Sequence, residues 1–194
     1  MKDQLRSFLE YLRLNRNASP HTVAAYESDL TQLMRFVAAS KDRSIDAVRA
    51  SDLDTSAIRG FMAELHRDRI SASSSARKLS AMRTFVRYLR REEVIEGDPA
   101  GLVASPKKPE TIPVHLSQEE MGRLLEMPDP STALGRRDRA MLELFYASGL
   151  RLSELVGLDI EDVNLSSRMV RVLGKGRKER LVPFNSKTAE AIRD

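Results

Sequence analysis

The chain has 194 residues, 41% of them apolar and 31% charged, a mixture that fills one ordinary domain or two small ones and excludes a disordered tract. Cysteine is absent and only three histidines occur, widely spaced at His21, His66 and His115. Disulfides and thiolate chemistry are therefore excluded, and neither a metal site nor any other cofactor is expected. No run of eighteen apolar residues exists, and the opening MKDQLRSFLEYLR sets charges among its apolar positions. Neither a membrane partner nor a signal peptide is expected, so the chain reads as soluble and cytoplasmic.

Residues 1–96 read as four helices in succession. Leu5, Phe8, Leu9 and Leu12 recur at helical spacing, and the first segment stops near Asn15-Arg16-Asn17. Ser19-Pro20 is an N-cap followed by proline at the first helical position, where a missing N–H costs nothing. Val23, Tyr26, Leu30, Leu33 and Val37 then form one apolar stripe. A third helix follows Asp54-Thr55-Ser56, and the serine-rich stretch Ser71 to Ser75 caps a fourth that is expected to end near Gly97-Asp98-Pro99. Residues 97–113, with four prolines, two glycines and no amphipathic period, read as an extended linker.

The second region, 114–194, opens with Ser117-Gln118-Glu119-Glu120, a capping box. A helix through Ala140, Met141, Leu144 and Phe145 ends at Gly149, and a short helical turn surrounds Ser153-Glu154-Leu155. Two β-rich runs, Met169 to Leu173 and Glu179 to Phe184, flank Gly174-Lys175-Gly176-Arg177-Lys178 and read as a hairpin. Ser186 starts a last helix that no stop signal closes, so this domain is expected to be cut short. The fold expected is mainly α, a four-helix domain followed by part of an α+β domain.

Net charge is only +4, but the basic residues are clustered. Arg67 to Arg91 holds eight basic residues and one acid, and Arg168 to Arg180 holds six against Glu179 alone. Two such blocks point to a polyanion contacted at two places, or else to two solvated faces. On the fourth helix, Leu79, Met82, Val86 and Leu89 share one side and Arg83, Arg87 and Arg90 another, beside the small residues Ala76 and Ser80. That face, with Arg77 and Lys78, is expected to meet double-stranded DNA. In the second region Arg151 follows a glycine stop inside an apolar run, where burial would demand an anion or a carboxylate. Spacing alone favours an i,i+3 pair with Glu154. Lys175, between two glycines at the hairpin tip, is on spacing alone a solvated turn residue.

YASGLRLSELVGLDIEDV followed by VRVLGKGRKERLVPF closely resembles the tyrosine recombinases, specifically the Xer-type proteins of bacterial chromosome-dimer resolution. SPHTVAAYESDL and SARKLSAMRTFVRYL are similar to the same family's SAM-like core-binding domain, and DPAGLVASPKKP to its linker. The resemblance implies a clamp of two domains on duplex DNA and a second recombinase subunit within a tetrameric synapse. It implies strand breaking and rejoining through a 3′-phosphotyrosine link, without a cofactor. Arg151 matches the catalytic arginine that donates to the scissile phosphate, and Lys175 the lysine that protonates the leaving 5′-oxygen. Glu154 then orients Arg151, and Arg177 and Lys178 join the DNA contacts. The family's further arginine, histidine and nucleophilic tyrosine have no counterpart here: no histidine follows His115 and no tyrosine follows Tyr146. Tyr11, Tyr26, Tyr88 and Tyr146 all fall in helical segments ahead of Arg151. A truncated recombinase, natural or a fragment, is the leading expectation. A DNA-binding remnant that occupies or regulates recombination sites, and a helical domain meeting an acidic protein, are the alternatives.

Overall fold

Short polar side chains decide where the helices begin. In the computed structural model, which describes residues 1–107, 114–174 and 178–194, Ser19, Asp54, Ser71, Ser117, Thr132 and Asn185 each accept a backbone N–H three residues on. Such bonds satisfy N–H groups that a helix start leaves orphaned. The chain divides into two units, Met1–Thr111 and Ile112–Asp194.

The first unit is built from α1 (Lys2–Leu14), α2 (Pro20–Ser40), α3 (Thr55–Arg67) and α4 (Ala72–Arg91). The expected stripes face inward: Leu5, Phe8, Leu9 and Leu12 from α1 meet Val23, Leu30, Leu33 and Val37 from α2, with Leu79, Met82, Val86 and Leu89 from α4. Phe8 lies at the centre, its ring 5.1 Å from that of Phe85 and 5.2 Å from that of Tyr88. Helix α4 stops at Arg91, earlier than its sequence suggests. Glu93 adopts a left-handed conformation (φ 56°), so that the Val94 N–H turns back to the Leu89 carbonyl at 2.9 Å and closes the helix end. The chain then folds back against its own helix. Ala100 and Val103 are buried in the core, and part of the segment whose composition suggests a linker therefore packs into the first unit.

The second unit holds α5 (Gln118–Glu126), α6 (Ala133–Ser148), α7 (Leu152–Val156) and α8 (Ser186–Arg193). Its antiparallel sheet has the order β1 (Val163–Asn164), β2 (Met169–Leu173), β3 (Glu179–Pro183). The hairpin matches the sequence reading; the short β1, paired Val163 to Val170, is an addition that two residues could not announce. On β2, Val170 and Val172 are buried while Arg171 and Leu173 face out, the alternation a one-sided sheet requires. Leu144, Leu150, Phe184 and Ala189 complete a small core. Gly149 ends α6 with φ 59°, a left-handed turn for which glycine carries no steric penalty. No described helix is long and apolar enough to cross a membrane.

Candidate functional site

Arg151 stands at the N-cap of α7, immediately after the Gly149 turn and the buried Leu150. The expectation of a buried guanidinium is not met. Its side chain is 71% exposed, because its neighbours Leu152 and Val156 are themselves on the surface. The i,i+3 partner is present: Arg151 Nη1 donates to Glu154 Oε1 at 3.0 Å, and the Arg151 backbone N–H donates to Oε2 at 2.8 Å.

Glu154 is the buried member of the group, with a side chain only 5% exposed. From β3, Arg180 spans both of its oxygens, Nη1 to Oε1 at 2.8 Å and Nη2 to Oε2 at 2.9 Å. Charge-assisted, forked bonds of this kind are the strong ones. They hold the Glu154 carboxyl down to about 2, chiefly through Arg180 and then through the Arg151 backbone N–H, and raise the Arg180 guanidinium above its ordinary value. Glu154 thus touches both the backbone N–H and the guanidinium of Arg151. Arg180 belongs to the second basic block, but charge clustering alone does not single it out. The strand pattern carries the missing signal: Arg180 lies opposite the buried Val172 and two residues from the half-buried Val182, so it sits on the inward face of the hairpin. A cleft of about 390 Å³ opens beside Glu154, with Asp162, Arg171 and Glu179 on its walls. There Arg171 donates to Asp162 at 2.9 and 3.1 Å, and Asp162 is lowered first by the Asp159 backbone N–H and then by Arg171. Lys175 and Arg177 lie outside the described residues; Lys178 is exposed.

The arginine-rich helix α4 is less uniform than its sequence. Lys78 is buried rather than facing outward, its ammonium 2.9 Å from Asp29 Oδ1 and 2.8 Å from Gln32 Oε1. Arg77 closes on the same Asp29 with both terminal nitrogens. A carboxylate on α2 therefore takes two of the cations expected to meet DNA, and no inspection of α4 alone could show it. Arg83 is also engaged, donating to the carbonyls of Ala100 at 3.4 Å and Val103 at 2.6 Å and to Ser105 Oγ at 3.0 Å. Arg87 and Arg90 remain exposed, Arg90 lying 3.9 Å from Asp98. Arg91, one turn on from Arg87, lies 4.1 Å over the Tyr11 ring and pairs with Glu92.

Two family profiles match this chain: the SAM-like N-terminal domain of phage integrases over residues 5–93, and the phage integrase family over residues 115–194. The chain belongs to the phage integrase family. Within it, the chain is 44% identical to the tyrosine recombinase XerC of Pelobacter propionicus over all 194 residues, which are 63% of that relative. It is 46% identical to the tyrosine recombinase XerD of Yersinia pestis over 180 residues, covering 93% of this chain and 58% of the relative. The chain spans about 60% of the length of the relatives it matches. Among the solved structures that share its fold, two illustrate the likeness. One is the Tn1549 transposon integrase in complex with a circular intermediate DNA (TM-score 0.69, 15% identity, 98% of this chain and 63% of that one). The other is a lambda integrase tetramer bound to a Holliday junction (TM-score 0.69, 17% identity, 94% and 50%).

Proposed function

We propose that this polypeptide takes part in site-specific recombination of double-stranded DNA, in the resolution of chromosome dimers, as one subunit of a tetrameric synapse. The observation that carries the reading is the exposed Arg151 guanidinium, held beside a buried carboxylate that a second arginine also grips. Such a group offers donors to the non-bridging oxygens of a phosphodiester, where charge grows during phosphoryl transfer. In the reaction a tyrosine oxygen attacks phosphorus, the bond to the 5′-oxygen breaks, and Lys175 supplies the proton that the leaving oxygen takes up. The strand end is left as a 3′-phosphotyrosine. Arg87, Arg90 and Lys178, exposed and basic, supply phosphate contacts that set the register on the duplex. The expected domains 1–96, extended by the packed Ala100 and Val103, and 114–194 are the two arms of the grip.

The test is a mobility shift with duplex DNA over a range of salt, followed by a nicked suicide duplex. The 194-residue polypeptide should retard the duplex, more weakly as salt rises. It should leave no DNA-linked band after denaturing electrophoresis, because none of its four tyrosines follows Arg151. A duplex that is never retarded overturns the reading. A covalent band from the 194 residues overturns the roles given to the tyrosines, and mapping it would identify the nucleophile.

A further inference from the structure

Four N–H groups converge on Glu154, as many as a carboxylate has lone-pair sites. Two come from Arg180, one from each of its terminal nitrogens. Of the Arg151 side chain, one nitrogen alone is bonded among the described residues, and that side chain is the more exposed of the two, 71% against 41%. The trio of one carboxylate and two guanidiniums carries a net +1. The labour is divided unequally: one arginine grips both carboxylate oxygens with its fork, and the other touches the carboxylate through a single side-chain nitrogen.

We propose that Arg180 is a positioning residue that occupies Glu154 and so keeps the Arg151 guanidinium from closing on that carboxylate, leaving it available to a phosphate. This deepens the proposed function and rests on that reading for the identity of the anion. Without Arg180, both Glu154 oxygens regain free lone pairs directly beside Arg151. The planar fork of Arg151 then closes on them bidentately, as such forks do, and the pair becomes neutral. The anion is deprived of its partner although Arg151 has not been altered.

A residue that merely pinned the hairpin would behave differently, and a double substitution separates the two. Arg180→Ala should lower the magnitude of the log K against log salt slope for duplex binding by about 0.9, the signature of one phosphate no longer neutralised. Adding Glu154→Gln removes the competing charge, restores the net +1, and keeps a side chain able to cap α7. The slope should then return towards that of the unaltered chain. A structural pin predicts no recovery, since the bonds from β3 to Glu154 are already lost with Arg180 and Glu154→Gln restores none of them.

The second readout is nitrogen-15 NMR of the arginine side chains in the 194-residue chain without DNA. Rotation about the guanidinium bonds of Arg151 should slow in Arg180→Ala and quicken again in the double variant. Arg180→Lys, which keeps the charge but not the fork, should lie between. Unchanged Arg151 signals in Arg180→Ala, or a double variant no better than the single one, would overturn the proposal. If the unaltered chain fails to bind duplex DNA, the proposed function falls while the arginine spectra still decide the role of Arg180.

Discussion

The two units solve the problem of burying apolar surface to very different degrees. In the first, four helices enclose a continuous core in which Phe8, Leu30, Ile58, Leu79, Val86 and Leu89 are fully buried. In the second, the buried cluster is six residues, while Met127, Leu134, Leu152, Val156, Ile160, Leu173 and Leu181 each stand more than half exposed. Helices with periodic stripes close on one another readily; a short hairpin and an isolated helical turn depend on a few neighbours apiece. In the second unit charge-assisted bonds at Glu154 tie β3 to α7 beside this small core, and it is there that the candidate chemistry resides. Sites that act on ligands are drawn from the less stable parts of proteins.

The strongest way to break this comparison is to remove one core residue from each unit. Phe8→Ala should cost about 3–5 kcal/mol, whereas Leu144→Ala should lie near the low end of its usual range, about 2 kcal/mol, because its sparse surroundings can collapse. Denaturant unfolding followed by amide exchange would read each unit separately, and equal losses would erase the distinction between them.

The buried charges of the first unit give the next test. Asp29→Ala leaves the Lys78 ammonium buried with only Gln32 as partner. Removing one member of such a pair typically costs about 3–5 kcal/mol, somewhat less where the other charge can reach water. Adding Lys78→Met should recover much of it, since an apolar chain of similar length belongs in that position. A double variant as unstable as the single one would mean that Asp29 acts through Arg77 instead.

The smallest effect distinguishes the units by pH. The Glu154 carboxyl, held at about 2 by Arg180 and the Arg151 N–H, lies below its ordinary 4.5. The folded state therefore binds fewer protons than the unfolded one. The stabilisation is complete above pH 4.5 and is lost as pH falls from there towards 2. In Arg180→Ala that acid-side slope should shrink in the second unit and leave the first unit unchanged. A slope insensitive to Arg180 would detach the carboxyl's low value from this arginine.

Much of the fold is legible in the sequence because periodicity and capping are local. The stripes of α1, α2 and α4, the caps at Ser19, Ser71 and Ser117, the Gly149 stop and the hairpin can all be read from neighbouring residues. The Arg151–Glu154 pair is legible for the same reason, being three residues apart on one turn. What escapes is long in sequence. Asp29 meets Arg77 and Lys78 across 48 and 49 residues, and Arg180 meets Glu154 across 26. A stretch of α4 free of acids looks like an open basic face, but the neutralising carboxylate comes from α2. Helical phase tells which side a residue occupies and nothing about what another helix brings to it.

The fold-back of residues 98–105 bears on how genes of this family could exchange parts. Ala100 and Val103 complete the core, and the carbonyls of both hold Arg83. A crossover in the coding sequence at the end of α4 would deliver the four helices without these two side chains. It would also deliver Arg83 without its acceptors. A junction placed after Ser105 transfers the whole inheritable unit, so the boundary that a gene must respect lies about fourteen residues beyond the last helix.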